Sequence, residues 1–221
     1  MESSWEERYE THIFREFQTD AREVLVGFNE HITGRAMRTL RIKDDGTGEW
    51  LSDDIINGYT KLLIARDERT ARRSSKQRRS HFFDTHFLTE LLDVGRTNKY
   101  CYENVRRWGK RVPGGNSFLL DKIFFPINIS NTHWVLAVAF MTDRVIKYYD
   151  SMGGNGTYYL TELKNYLQQE WVRLGNVAHA FPDCKLENVE GAPRQENSWD
   201  CGLFVCFAMN LIAKNVPLDY D

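Results

Sequence analysis

Gln195-Glu196-Asn197-Ser198-Trp199-Asp200-Cys201-Gly202 runs straight into a strongly apolar stretch over 203–213, and the reading of that junction decides the fold. Polar loop residues up to Asp200, then a run without a breaker, predict a loop ending at the mouth of a buried helix over 202–214. Cys201 then sits where unpaired backbone N–H groups gather, with the side-chain amide of Gln195 six residues before it. Such N–H groups favour an anion and lower the pKa of a thiol placed among them. Upstream, His133 opens one strand-like run and Asp150 closes the next. A thiol, an imidazole, a carboxylate and an amide donor are the groups that nucleophilic acyl transfer needs.

Composition narrows the alternatives. The chain has 221 residues, 42% hydrophobic and 27% charged, enough for one well-buried domain over 1–221. A net charge of −2 supplies no global field for a nucleic-acid partner. No apolar run approaches the ~20 residues of a membrane span, and MESSWEERYE over residues 1–10 is acidic where a secretory signal is basic and then apolar. The four cysteines are Cys101, Cys184, Cys201 and Cys206. They form no close pair of the kind zinc and dithiol sites use, so no metal or other cofactor is expected. They are too few for a disulfide framework, and a reducing compartment, nuclear or cytoplasmic, is expected.

The pattern along the chain reads as one α+β domain. Residues 5–32 are helix-prone, and Trp50-Leu51-Ser52-Asp53-Asp54 opens an amphipathic helix with Ser52 or Asp53 as N-cap. Residues 66–80 carry seven basic residues and almost no apolar ones, which predicts a solvated surface element outside the chemistry. Residues 81–92 read as a buried helix and 100–109 as a short one. Three strands are expected over 122–129, 133–141 and 144–150, whose near-continuous apolarity suits the centre of a sheet. Leu160, Leu163, Leu167, Trp171 and Leu174 mark a helix over 158–174, and 177–184 reads as one more strand.

A hairpin turning at Thr142-Asp143 pairs residues whose numbers sum to 285. His133 then faces Met152, and Asp150 lies on the diagonal, on the same face and within side-chain reach. A slip of one residue would separate the pair onto opposite faces. Gly202, beside the sulfur, is expected to clear a path for a substrate carbonyl. Gln195 is the natural partner of the Cys201 N–H in binding a developing negative charge. Cys206, deeper in the apolar run, reads as a core residue, and Cys101 and Cys184 have no polar constellation around them.

These residues, in the order His–Asp–Gln–Cys, resemble the ubiquitin-like-protein-specific cysteine proteases, the SUMO (sentrin) protease group, which is distantly similar to the adenoviral proteinase. The resemblance rests on Trp50-Leu51-Ser52-Asp53-Asp54-Ile55-Ile56, on Val105-Arg106-Arg107-Trp108 followed by Asp121 to Asn128, on His133-Trp134 with Tyr149-Asp150-Ser151, and on the block from Gln195 to Gly202. It implies a papain-like α+β fold, with a central mixed sheet and the nucleophile at the N-terminus of a buried helix. It also implies Cys201 as nucleophile, His133 as general base, Asp150 as its orienting carboxylate and Gln195 as oxyanion donor. Trp50 and Trp134 would flank a Gly-Gly tail in a narrow tunnel, and Asp53 would hold the C-terminal strand of the modifier. The implied partner is a ubiquitin-like modifier, SUMO first, with its conjugates, acted on by a monomer.

Three other readings remain open at this level. The modifier is of the neddylation type or is ubiquitin; the protein is an acetyltransferase of related His–acid–Cys fold; or it binds a modifier without cleaving it. Three departures from the family pattern stand out. Ser52 occupies a position often held by Asn, the basic 66–80 segment is long, and the chain stops at Asp221 where relatives usually continue through another helix.

Overall fold

Ile123, Phe125 and Ile127 join one hydrophobic core while Phe124 joins another, and the same alternation separates Val135, Ala137 and Ala139 from Trp134, Leu136 and Val138. A sheet buried on both faces produces that division, which is why its strands read as unbroken apolar runs. The computed structural model describes residues 23–27, 30–74 and 80–220. In chain order it contains β1 (Glu23–Gly27), β2 (Glu30–Thr33), α1 (Gly34–Arg38), α2 (Asp53–Ser74), β3 (Ser80–Phe82), α3 (His86–Leu91) and α4 (Tyr102–Val105). Then follow β4 (Lys122–Ile129), β5 (His133–Phe140), β6 (Val145–Tyr149), α5 (Thr157–Arg173), β7 (Lys185–Asn188) and α6 (Cys201–Ala213).

The main sheet has the order β3-β4-β5-β6-β7. Its outer pairs are parallel and its inner pairs antiparallel, so the sheet is mixed, as expected. On one face, Leu160, Leu163 and Tyr166 of α5 meet Phe83 and Phe87. On the other, Val205 and Met209 of α6 and Ile56 and Leu63 of α2 pack against Phe124, Trp134 and Leu136. Lys122 ties β4 to α6 at the far end: its Nζ donates to Ile212 O at 2.7 Å and also bonds Asn215 Oδ1. A cation there satisfies the last carbonyls of α6 and its negative end. Among the described residues no helix is long and apolar enough to cross a membrane.

The β5–β6 hairpin has the expected register, from Phe140↔Val145 to Leu136↔Tyr149. Its ladder stops there, so His133 and Met152 are not a paired rung: the chain leaves the sheet at Asp150 to enter a turn. Other expectations fail for identifiable reasons. Of the helix expected over 5–32, residues 1–22 and 28–29 lie outside the described residues, and 23–27 with 30–33 form an antiparallel pair rich in β-branched residues. The run 81–92 does not start as a helix. His81 and Phe82 extend β3, paired in parallel with Ile123 and Phe124, and helix begins only at His86. No strand forms over 177–184; the strand is β7, whose Lys-Leu-Glu-Asn sequence is largely exposed at the sheet edge. The basic segment begins as the last turns of α2, which runs to Ser74, and residues 75–79 lie outside the described residues.

Candidate active site

Three chain segments meet at the open end of the sheet. Left-handed Ser130 and Asn131 turn the chain from β4 into β5 and deliver His133 as its first residue. Asp150 follows the last residue of β6, and Cys201 is the first residue of α6. His133 Nε2 lies 2.8 Å from Asp150 Oδ1. The carboxylate is itself held: Met152 N donates to Oδ1 at 2.8 Å, and Gly154 N donates to Oδ2 at 3.0 Å. Gly154 is needed there, because a Cβ would stand 2.5 Å from Oδ2.

Electrostatics follow from these contacts. Burial pushes the Asp150 carboxyl up, but the hydrogen bonds from His133, Met152 and Gly154 outweigh it and hold the group below its ordinary value. The hydrogen bond to Asp150, then the nearby Cys201 sulfur, raises His133 from 6.5 to about 9 against the opposing effect of burial. With Nε2 taken by Asp150, the buried Nδ1 is the ring atom left for the sulfur. Cys206, by contrast, is a buried thiol pushed up to about 12 by desolvation, and all four cysteines are unpaired.

The loop before Cys201 is built by Asn197. Its Oδ1 accepts from the N–H groups of Trp199 and Asp200, each at 3.0 Å, and its Nδ2 donates to Asp200 Oδ2 at 2.6 Å. Gln195 Nε2 donates to Asn197 O at 2.7 Å, and Ser151 Oγ donates to Gln195 Oε1 at 2.6 Å. As the first helical residue, Cys201 has a backbone N–H without an intrahelical acceptor. Gly202 does not have the purpose expected of it. A Cβ there would lie 2.8 Å from Leu51 Cβ, so the glycine admits Leu51 rather than a substrate. Leu51 in turn offers its carbonyl to Trp134 Nε1 at 2.7 Å.

Trp50, Asp53 and Trp134 all line one groove of about 810 Å³, together with Ser198 and Trp199. Trp134 is its floor at 3% exposure, and Trp50 its rim at 47%, with Trp50 Nε1 bonded to Ser198 O at 2.5 Å. Asp53 stands in the first turn of α2, its Oδ2 3.4 Å from His86 Nε2. Ser52 precedes that helix and its carbonyl accepts from Ile56 N at 3.3 Å, but its buried hydroxyl has no partner and does not cap. Among the described residues no group of three or more His, Cys, Asp or Glu is arranged to hold a metal. Sequence reasoning gave Ser151 and Asn197 no role. The signals were present, Ser151 directly after Asp150 and an Asn three residues before Asp200, but their partners depend on how the loop closes.

The chain belongs to the Ulp1 protease family: residues 49–221 match the family's C-terminal catalytic domain. Among curated relatives, ubiquitin-like-specific protease 1A of Arabidopsis thaliana is 35% identical over 214 residues, which cover 95% of this chain and 40% of the relative. Ubiquitin-like-specific protease 1 of Saccharomyces cerevisiae is 31% identical over 197 residues, covering 87% and 27%. The chain thus spans less than half the length of these two proteins. Among solved structures, the C-terminal Ulp1 protease domain in complex with Smt3, the yeast ortholog of SUMO, superposes with a TM-score of 0.74. It is 27% identical, and the match covers 97% of this chain and 85% of that one.

Proposed function

We infer that this chain is the catalytic domain of a cysteine protease that cleaves after the Gly-Gly tail of a ubiquitin-like modifier, SUMO first, both processing precursors and releasing conjugated targets. The observation that carries the reading is the hydrogen-bonded pair Asp150–His133, with Cys201 beside the imidazole and with His133 directly preceding Trp134 of the groove that Trp50 also lines. Glycine is the residue that passes between two indoles, and Asp53 beside them suits contact with the modifier's C-terminal strand. The Cys201 sulfur attacks the terminal glycine carbonyl, and the electron pair moves to an oxygen held by the Cys201 N–H and Gln195 Nε2. His133, already protonated, gives its proton to the departing amine as the C–N bond breaks, leaving a thioester. Neutral His133 then takes a proton from water, which attacks the thioester and expels the sulfur. Such a thiol enzyme suits a reducing nuclear or cytoplasmic setting. Cys201→Ser should lower cleavage of a fluorogenic modifier tail by at least roughly 10³-fold while retaining modifier binding. Cys206→Ser should stay within about twofold of wild type. Residual cleavage near wild type in Cys201→Ser would contradict the assignment.

A further inference from the structure

The two ends of the Gln195 carboxamide are distinguishable by their partners. The Asn197 carbonyl can only accept, so the atom 2.7 Å from it is Nε2. The other end, Oε1, meets Ser151 Oγ at 2.6 Å, and an amide oxygen obliges that hydroxyl to donate. Ser151 is 7% exposed, and its carbonyl also accepts the Gln195 backbone N–H at 3.2 Å. Ser151 thus holds Gln195 by both main chain and side chain. One Nε2 proton is spent on Asn197, and the second is the one an oxyanion would use.

The structure assigns Ser151 the task of positioning Gln195: its hydroxyl fixes the orientation and reach of the carboxamide, so that one Nε2–H stays presented to the oxyanion. This rests on the reading of Gln195 as oxyanion donor given above. Because Asp150 and Ser151 are adjacent, one dipeptide at the end of β6 sets both the imidazole, through the carboxylate, and the oxyanion donor, through the hydroxyl. Without the hydroxyl, Oε1 loses its donor and the carboxamide is free to rotate away from Asn197. Ser151 does not line the groove in which the modifier tail would lie, so its loss acts on the chemical step and leaves binding alone.

The test is a double-mutant cycle on a fluorogenic modifier tail with wild type, Ser151→Ala, Gln195→Ala and the double variant. Ser151→Ala should lower kcat roughly 5- to 30-fold, less than removal of an oxyanion donor, with KM within about twofold. On the Gln195→Ala background the same change should add less than about twofold. A kcat equal to wild type, a loss that multiplies in the double variant, or a loss in KM alone would overturn the assignment. A wild type that cleaves no modifier tail defeats the functional reading instead. The crystal structure of Ser151→Ala then decides the positioning role: a carboxamide displaced from Asn197 O is expected, and one still seated there overturns it.

Discussion

His133 is held charged by its neighbours. Asp150 and Cys201 both favour the imidazolium, and the result is a pKa of about 9 in place of 6.5. A group raised on folding contributes stability that is whole below its unfolded value and is lost as pH rises through the folded one. The urea midpoint of the wild type should therefore fall between pH 6.5 and 9, over the window set by His133. In Asp150→Asn, which removes the leading cause, that fall should be smaller, and kcat should drop by roughly 10²–10⁴ through a misoriented imidazole. A fall of equal depth in the variant would detach the shift from Asp150. The His133–Asp150 pair is legible from the expected hairpin register carried past Leu136↔Tyr149, the last rung that forms. The link from Ser151 to Gln195 is not, because it joins residues 44 positions apart and Gln195 lies in a loop with no periodicity of its own.

At the scale of elements, α6 stands in place by contacts at both ends: Lys122 at its C-terminus and Leu51 against Gly202 at its N-terminus. Gly202→Ala would put a methyl 2.8 Å from Leu51 Cβ and force Leu51 away from the helix. Overpacking of this kind costs about 1–3 kcal/mol, to be read from urea unfolding. Because Leu51 O accepts the Trp134 indole, KM for the modifier tail should rise as well. An unchanged KM would show that the groove floor does not depend on this contact. The central strands and the helices α5 and α6 are legible because burial on fixed faces leaves a periodic or continuous apolar signal. The edge strands are not. β3 is three residues long, and β7 is polar and exposed, so each owes its strand conformation to a parallel neighbour rather than to its own composition.

Across the whole molecule, two cores grip one sheet, and the proposed reacting groups lie where β5 and α6 begin and β6 ends. None of the three elements could hold the site alone, so the chemistry depends on the stacking of α6 on the sheet face that carries Trp134 and Leu136. The Cys201 sulfur is the atom proposed to meet the modifier's terminal glycine. The direct measurement is reaction of the protein with a panel of ubiquitin-like modifiers bearing a C-terminal vinyl sulfone, read by gel shift and by mass spectrometry of the modified peptide. One adduct is expected, on Cys201, formed fastest with the SUMO probe and absent in Cys201→Ser. An adduct on Cys101, Cys184 or Cys206, or no adduct with any modifier from a folded wild-type protein, would contradict it.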